Sequence, residues 1–167
     1  MRAKHLKGVA FLAIVGVIGM VSTQFAAAED ERWEGRKLEG SWVVQVALHD
    51  CTSGTPIGLP FQSLLTFAKG GTMTETTANA MFFPAERGPG HGVWSRKGAY
   101  TYNALTEAFV TLNGALQKTQ TIAQTIEVDT EDSMHTTEAT VKFYKPDGTL
   151  LATGCAAATG KRIESEP

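Results

Sequence analysis

The 167-residue chain is poor in the features that mark several protein classes. Two cysteines are too few for a disulfide-dense miniprotein. Seventeen glycines and six prolines, without a period, exclude a collagen-like repeat. With 43% hydrophobic and 19% charged residues the chain has too much apolar content for a disordered segment. The formal charge is −2, so the basic excess of a nucleic-acid-binding domain is missing. No internal repeat and no low-complexity tract is present, and no window after residue 37 has helical periodicity. What remains fits one globular domain behind an address segment.

Residues 1–28 have the layout of a secretory signal peptide. Arg2, Lys4 and Lys7 form a positive start, residues 9–21 are apolar and uncharged, and Ala26, Ala27 and Ala28 supply a small-residue cleavage site. The apolar run has 13 residues, whereas a spanning helix needs about 20; a retained anchor is the alternative. Removing 28 of the 167 residues leaves 139, and the three cations that go with them take the formal balance from −2 to −5. That balance disfavours anionic membranes and nucleic acid as partners. A secreted or periplasmic location follows, and no later segment is apolar enough to span a bilayer. Cys51 and Cys155 both lie in the exported part, where two cysteines most simply pair; two buried thiols are the alternative.

The remainder reads as a row of strands. Trp42, Val44, Val46 and Leu48 share one face of a run over 42–50. Further β-rich runs cover 61–68, 72–79, 92–96, 99–112, 116–128, 136–145 and 149–163. Asn113-Gly114 is a strong hairpin signal, and Pro146-Asp147-Gly148 is a turn with a mechanism. Residues 29–37, with Trp33, form an N-terminal arm, 38–163 the β domain and 164–167 a tail. Residues 80–91 read as a lid or cross-over loop rather than a regular element. Eight sequential antiparallel strands predict an all-β, up-and-down barrel, because closure removes exposed edges; a sandwich is the runner-up. If first and last strands pair and the cysteines set the register, Val44 falls opposite Arg162. The large inward residues of the first strand then meet Ala152, Gly154, Ala156, Ala158 and Gly160.

Gly40-Ser41-Trp42 at the start of the first strand and Gly160-Lys161-Arg162-Ile163 at the end of the last resemble the terminal motifs of the calycin superfamily, the lipocalins and their relatives. The resemblance implies an eight-stranded calycin-like barrel in which Arg162 packs across Trp42 as a structural cation–π cap. The chain runs only four residues past Ile163, without the C-terminal helix of lipocalins, which favours a calycin-like cousin. The stretch Pro89-Gly90-His91-Gly92-Val93-Trp94 is similar to that of uncharacterised secreted bacterial barrels.

Chemistry is sparse. His49, His91 and His135 stand at no metal-ligand spacing, so no metal is expected. No phosphate loop or nucleophile elbow is present, and no cofactor is implied. His91, between glycines, is either a polar group at the barrel mouth or a loop residue bonded to backbone. Glu86 and Arg87 read first as a solvated pair. Phe82 and Phe83 cap the mouth over a ligand or plug the core. Tyr100 and Tyr102 line a pocket with Trp94, or form an outer aromatic patch. The leading expectation is a barrel that holds a small, largely apolar ligand, with Phe82, Phe83, Arg87, His91, Trp94, Tyr100 and Tyr102 around it. The alternatives are a barrel-type cyclase or isomerase using His91 or Glu86 as acid or base, and an envelope interaction or inhibitor-like module.

Overall fold

The computed structural model describes residues 37–164; the expected signal peptide, all of the arm before Lys37 and the last three tail residues lie outside the described residues. Nine strands follow one another: β1 (Gly40–His49), β2 (Pro56–Phe67), β3 (Thr72–Ala78), β4 (Glu86–Arg87), β5 (Gly90–Arg96), β6 (Thr101–Leu112), β7 (Ala115–Val128), β8 (Ser133–Tyr144) and β9 (Leu150–Arg162). Every pairing is antiparallel, and β9 pairs back onto β1. The short β4 and the longer β5 both pair with the same edge of β6, so together they fill one position. The result is a closed eight-stranded barrel. Among the described residues no helix is long and apolar enough to cross a membrane.

Side-chain alternation dictates the wall. In β6, Tyr102, Ala104, Thr106, Ala108 and Val110 are buried while the residues between them face out. Asn113 and Gly114 both take positive φ, 51° and 77°, as the two-residue turn between β6 and β7 requires. Asp147 Oδ1 accepts the Thr149 N–H at 2.9 Å and fixes the turn before β9.

The β1–β9 register differs from the expected one by two residues. Trp42, not Val44, stands opposite Arg162, and Val44 stands opposite Gly160. The disulfide forms as expected, between Cys51 and Cys155, but Cys155 pairs in the sheet with His49. Cys51 lies two residues beyond that partner, in the turn after β1, and reaches back across it. A slip of two keeps every side chain on its face. Large inward residues therefore still meet small ones: Val44 faces Gly160, Val46 faces Ala158 and Leu48 faces Ala156. A Cβ added at Gly160 would lie 2.8 Å from Met134 Cε.

The expected loop over 80–91 is one-third strand: Glu86, Arg87, Gly90 and His91 belong to β4 and β5. After a 3₁₀ turn, Ala80–Phe82, the chain re-enters the sheet at Glu86. Gly90 and Gly92 are extended, and they serve close packing rather than turning. A Cβ on Gly92 would come within 2.0 Å of the Leu105 carbonyl oxygen on β6. The barrel has two unequal ends. One is filled by Leu38, Trp42, Phe67, Met73, Tyr102, Val128, Met134 and their neighbours. The other carries the disulfide, the 3₁₀ turn and a cavity.

The cross-link closes a 104-residue separation. Replacing Cys51 and Cys155 together by serine is expected to lower stability by about 2–5 kcal/mol. Urea unfolding of the two proteins side by side checks this.

Candidate functional site

The sealed end owes its closure to the two motifs that open β1 and end β9. Trp42 is fully buried and its Nε1–H donates to the Leu38 carbonyl at 2.9 Å. The Arg162 guanidinium lies 4.2 Å from the Trp42 ring centroid. It also donates to the backbone carbonyls of Glu131, Glu39 and Lys37, each at 2.5 Å. The packing of Arg162 across Trp42 that the terminal motifs imply is present in the structure.

The opposite end opens into a cavity of about 280 Å³. Its two walls differ. Strands β1, β8 and β9 contribute Val44, Val46, Leu48, Ala139, Val141, Phe143, Ala156 and Ala158, with Thr136 and, at the end of β1, His49 as the polar members of this wall. The facing wall, from β2, β3, β4 and β7, carries Ser63, Glu75, Thr77, Arg87 and Gln120. These five form one network. Arg87 Nη2 donates to Glu75 Oε2 at 2.7 Å, and Arg87 Nε–H donates to Gln120 Oε1. Thr77 Oγ1 donates to Glu75 Oε1 at 2.5 Å and accepts from the Ser63 hydroxyl at 2.8 Å. The Arg87 and Glu75 side chains are only 2% and 8% exposed, so this is a desolvated ion pair.

Gly90 makes the space. A Cβ there would stand 2.6 Å from Thr106 Cγ2 and 2.9 Å from Glu75 Oε2. No buried side-chain nitrogen or oxygen among the described residues lacks a hydrogen-bond partner. The network is therefore complete as it stands.

At the mouth, Asn79 Oδ1 accepts the Met81 N–H at 2.9 Å and caps the 3₁₀ turn. That turn sets the Phe82 ring edge-on to Phe143, with centroids 6.4 Å apart. Lys118 Nζ lies 4.7 Å from the Phe143 centroid and 6.0 Å from that of Phe82. Asp50 shapes the loop beyond β1. Backbone N–H groups of Ser53 and Thr52 and the Ser53 hydroxyl donate to its carboxylate, which holds its pKa below the usual value.

Of the seven side chains expected around a ligand, the structure brings two to this cavity, Phe82 and Arg87. Phe83 follows Phe82 but is 86% exposed. Trp94 and Tyr102 pack edge-on to each other at 5.7 Å, in the sealed end, with Trp94 also against Phe67. Tyr100 lies just before β6, away from the cavity and partly exposed. His91 sits on the outer face between Thr74 and Glu107 and is exposed. Glu86 is exposed too, and it does not pair with Arg87, because successive strand residues face opposite sides. Neither His91 nor Glu86 lines the cavity.

Sequence reasoning missed Glu75, Gln120, Ser63, Thr77 and Lys118. For Glu75 the signal was present: it shares the parity of Met73 in a strand whose inner face is otherwise apolar or hydroxylic. An acid on that face needs a buried cation, and Arg87 is the one the fold supplies. Among the described residues no group of three His, Cys, Asp or Glu side chains could hold a metal ion. The chain matches no protein-family model and no curated protein.

Proposed function

We propose that the protein is an exported, calycin-like barrel that binds a small, largely apolar ligand in its lumen. The observation that carries this reading is the cavity: it is open at one end, has a largely apolar wall on β1, β8 and β9, and has a polar wall whose hydrogen bonds are already made. Sites of this kind bind by apolar burial, with few polar contacts for orientation. A volume of about 280 Å³ suits a small ligand. The disulfide supports export to a secreted or periplasmic location. The Trp42–Arg162 seal supports the calycin-like assignment.

The neutral dye N-phenyl-1-naphthylamine tests it. The purified, disulfide-bonded protein is expected to bind the dye with enhanced fluorescence. Ala156→Phe, which fills the lumen from β9, is expected to abolish binding while the protein stays folded. Dye binding that survives in Ala156→Phe would place the site elsewhere and overturn the reading. Native mass spectrometry of protein taken from an oxidising compartment would show a natural ligand as extra mass released on denaturation.

One observation favours a second reading, recognition of another envelope protein through the loops. Leu59 and Phe83, both on the mouth side, are 85% and 86% exposed. Loss of partner capture on Leu59→Ser with Phe83→Ser, with dye binding intact, would select it.

A further inference from the structure

We propose that the open end of the barrel docks on the surface of a bilayer of zwitterionic lipid, with the apolar side chains around the mouth entering the interface. This goes beyond lumenal binding and does not depend on it.

Four connections build the mouth, and exposed apolar side chains lie at each. Leu59 protrudes near the start of β2, Met81 and Phe83 lie between β3 and β4, Leu116 lies at the start of β7, and Leu150 and Leu151 at the start of β9. Their exposures run from 41% to 86%. In order around the wall these connections are β1–β2, β8–β9, β6–β7 and β3–β4, so the apolar groups form a ring and not a patch. Gly58, at φ 70°, places Leu59 beside the 3₁₀ turn: a Cβ on Gly58 would lie 3.0 Å from Met81 Sδ. On the flank, Val93 and Leu105 pair across β5 and β6 among Ser95, Asn103 and Thr140. The connections at the sealed end, 68–71, 97–100 and 129–132, carry Tyr100 as their one exposed large apolar side chain, beside Lys69, Lys97, Asp129, Glu131 and Asp132. The barrel is amphipathic from end to end.

Charge selects the kind of lipid. Residues 51–68 and 76–85, which include Leu59 and Phe83, hold no charged residue. The ionisable groups about the mouth are Lys118, Lys142 and Lys145, which Asp50, Glu86 and Asp147 balance, and His49, which lines the cavity. Without a cationic excess the rim gains nothing from anionic headgroups, and adhesion rests on apolar burial, which a zwitterionic surface supplies. The shape of the ring decides against a folded protein as the occupant. A protein interface is close-packed and apolar at its centre and polar at its edge. Here the centre is the entrance of the cavity, and the apolar side chains stand around it. Fluid acyl chains fill the spaces between such projections. A partner protein or a second copy of this chain would leave the centre void unless it carried a plug shaped to it.

The test uses vesicles of phosphatidylcholine with brominated acyl chains, which quench tryptophan at short range, and the disulfide-bonded protein. Wild-type protein is expected to float with the vesicles. Trp42 and Trp94 belong to the sealed end and should escape quenching. A tryptophan introduced by Phe83→Trp is expected to be quenched, and one introduced by Ile163→Trp, exposed at the opposite end, is not. Leu59→Ser combined with Phe83→Ser is expected to weaken vesicle binding about tenfold or more. Added salt should leave binding unchanged within about twofold. Absence of vesicle binding would overturn the proposal, as would equal quenching at both ends or full binding by the double variant. Binding that requires phosphatidylglycerol and disappears in salt would overturn it too. A solution dimer that the double variant dissociates, without vesicle binding, would assign the ring to a second copy, and capture of a protein partner without vesicle binding would assign it to that partner; either result overturns docking on lipid. Ala156→Phe, with its lumen filled, is expected to dock as the wild type does, so docking and lumenal binding can fail separately.

Discussion

Arg87→Met is expected to destabilise the barrel by about 3–5 kcal/mol, because it leaves Glu75 as an unpaired charge in the wall. The Glu75 side chain is 8% exposed and cannot turn to water without leaving the sheet face that holds it. The companion change decides the cause. Glu75→Leu combined with Arg87→Met removes both charges, and replacing a buried pair by apolar groups is often neutral or stabilising. The double variant is therefore expected to regain most of what the single one loses. Urea unfolding of the three proteins closes the cycle. A single variant as stable as the wild type would mean that the pair is solvated in solution. Gly90→Ala should behave as a partial version of Arg87→Met, since its methyl group would press on Glu75 and Thr106.

Trp42→Ala carries the second large effect, also about 3–5 kcal/mol. The ring is fully buried, so its loss opens a void in the sealed end. The Leu38 carbonyl loses its donor and Arg162 loses the surface it covers. Trp42→Phe keeps a ring for Arg162 and is expected to cost markedly less. Thermal unfolding of both variants orders them. Equal losses would assign the stabilisation to the indole N–H rather than to volume and the cation–π contact.

The barrel was legible because its signals are local and redundant. The alternation in β1, the Asn113-Gly114 turn and the Pro146-Asp147-Gly148 turn each specify one piece, and closure follows from counting strands. The cysteine pairing was legible from the expected compartment, but its register was not. Whether a cysteine bridges from a paired position or from the turn beyond it depends on where β1 stops, and the one local sign of that point is Asp50, whose carboxylate caps the turn that follows. The region around His91 misled for a different reason. Glycine usually signals a bend, yet Gly90 and Gly92 are extended, because β6 and the Glu75–Arg87 pair come too close for a Cβ. The need for that close approach exists only in three dimensions. The polar wall stayed hidden likewise: its five members come from four strands, and only Glu75 and Thr77 are near in sequence.

The neighbour relations of the strands form a cycle with no first member. Seven of its eight junctions are made by chain passing from one strand position to the next; the eighth, from β9 to β1, is not. There Arg162 gathers the carbonyls of Lys37, Glu39 and Glu131 and covers the Trp42 ring. A single guanidinium thus performs the task that a peptide turn performs elsewhere around the ring. It is a clasp rather than a hinge, and it joins the two ends of the described chain at the pole opposite the mouth. The wall could be opened at the Asn113-Gly114 turn and rejoined at the clasp with every strand keeping both of its neighbours.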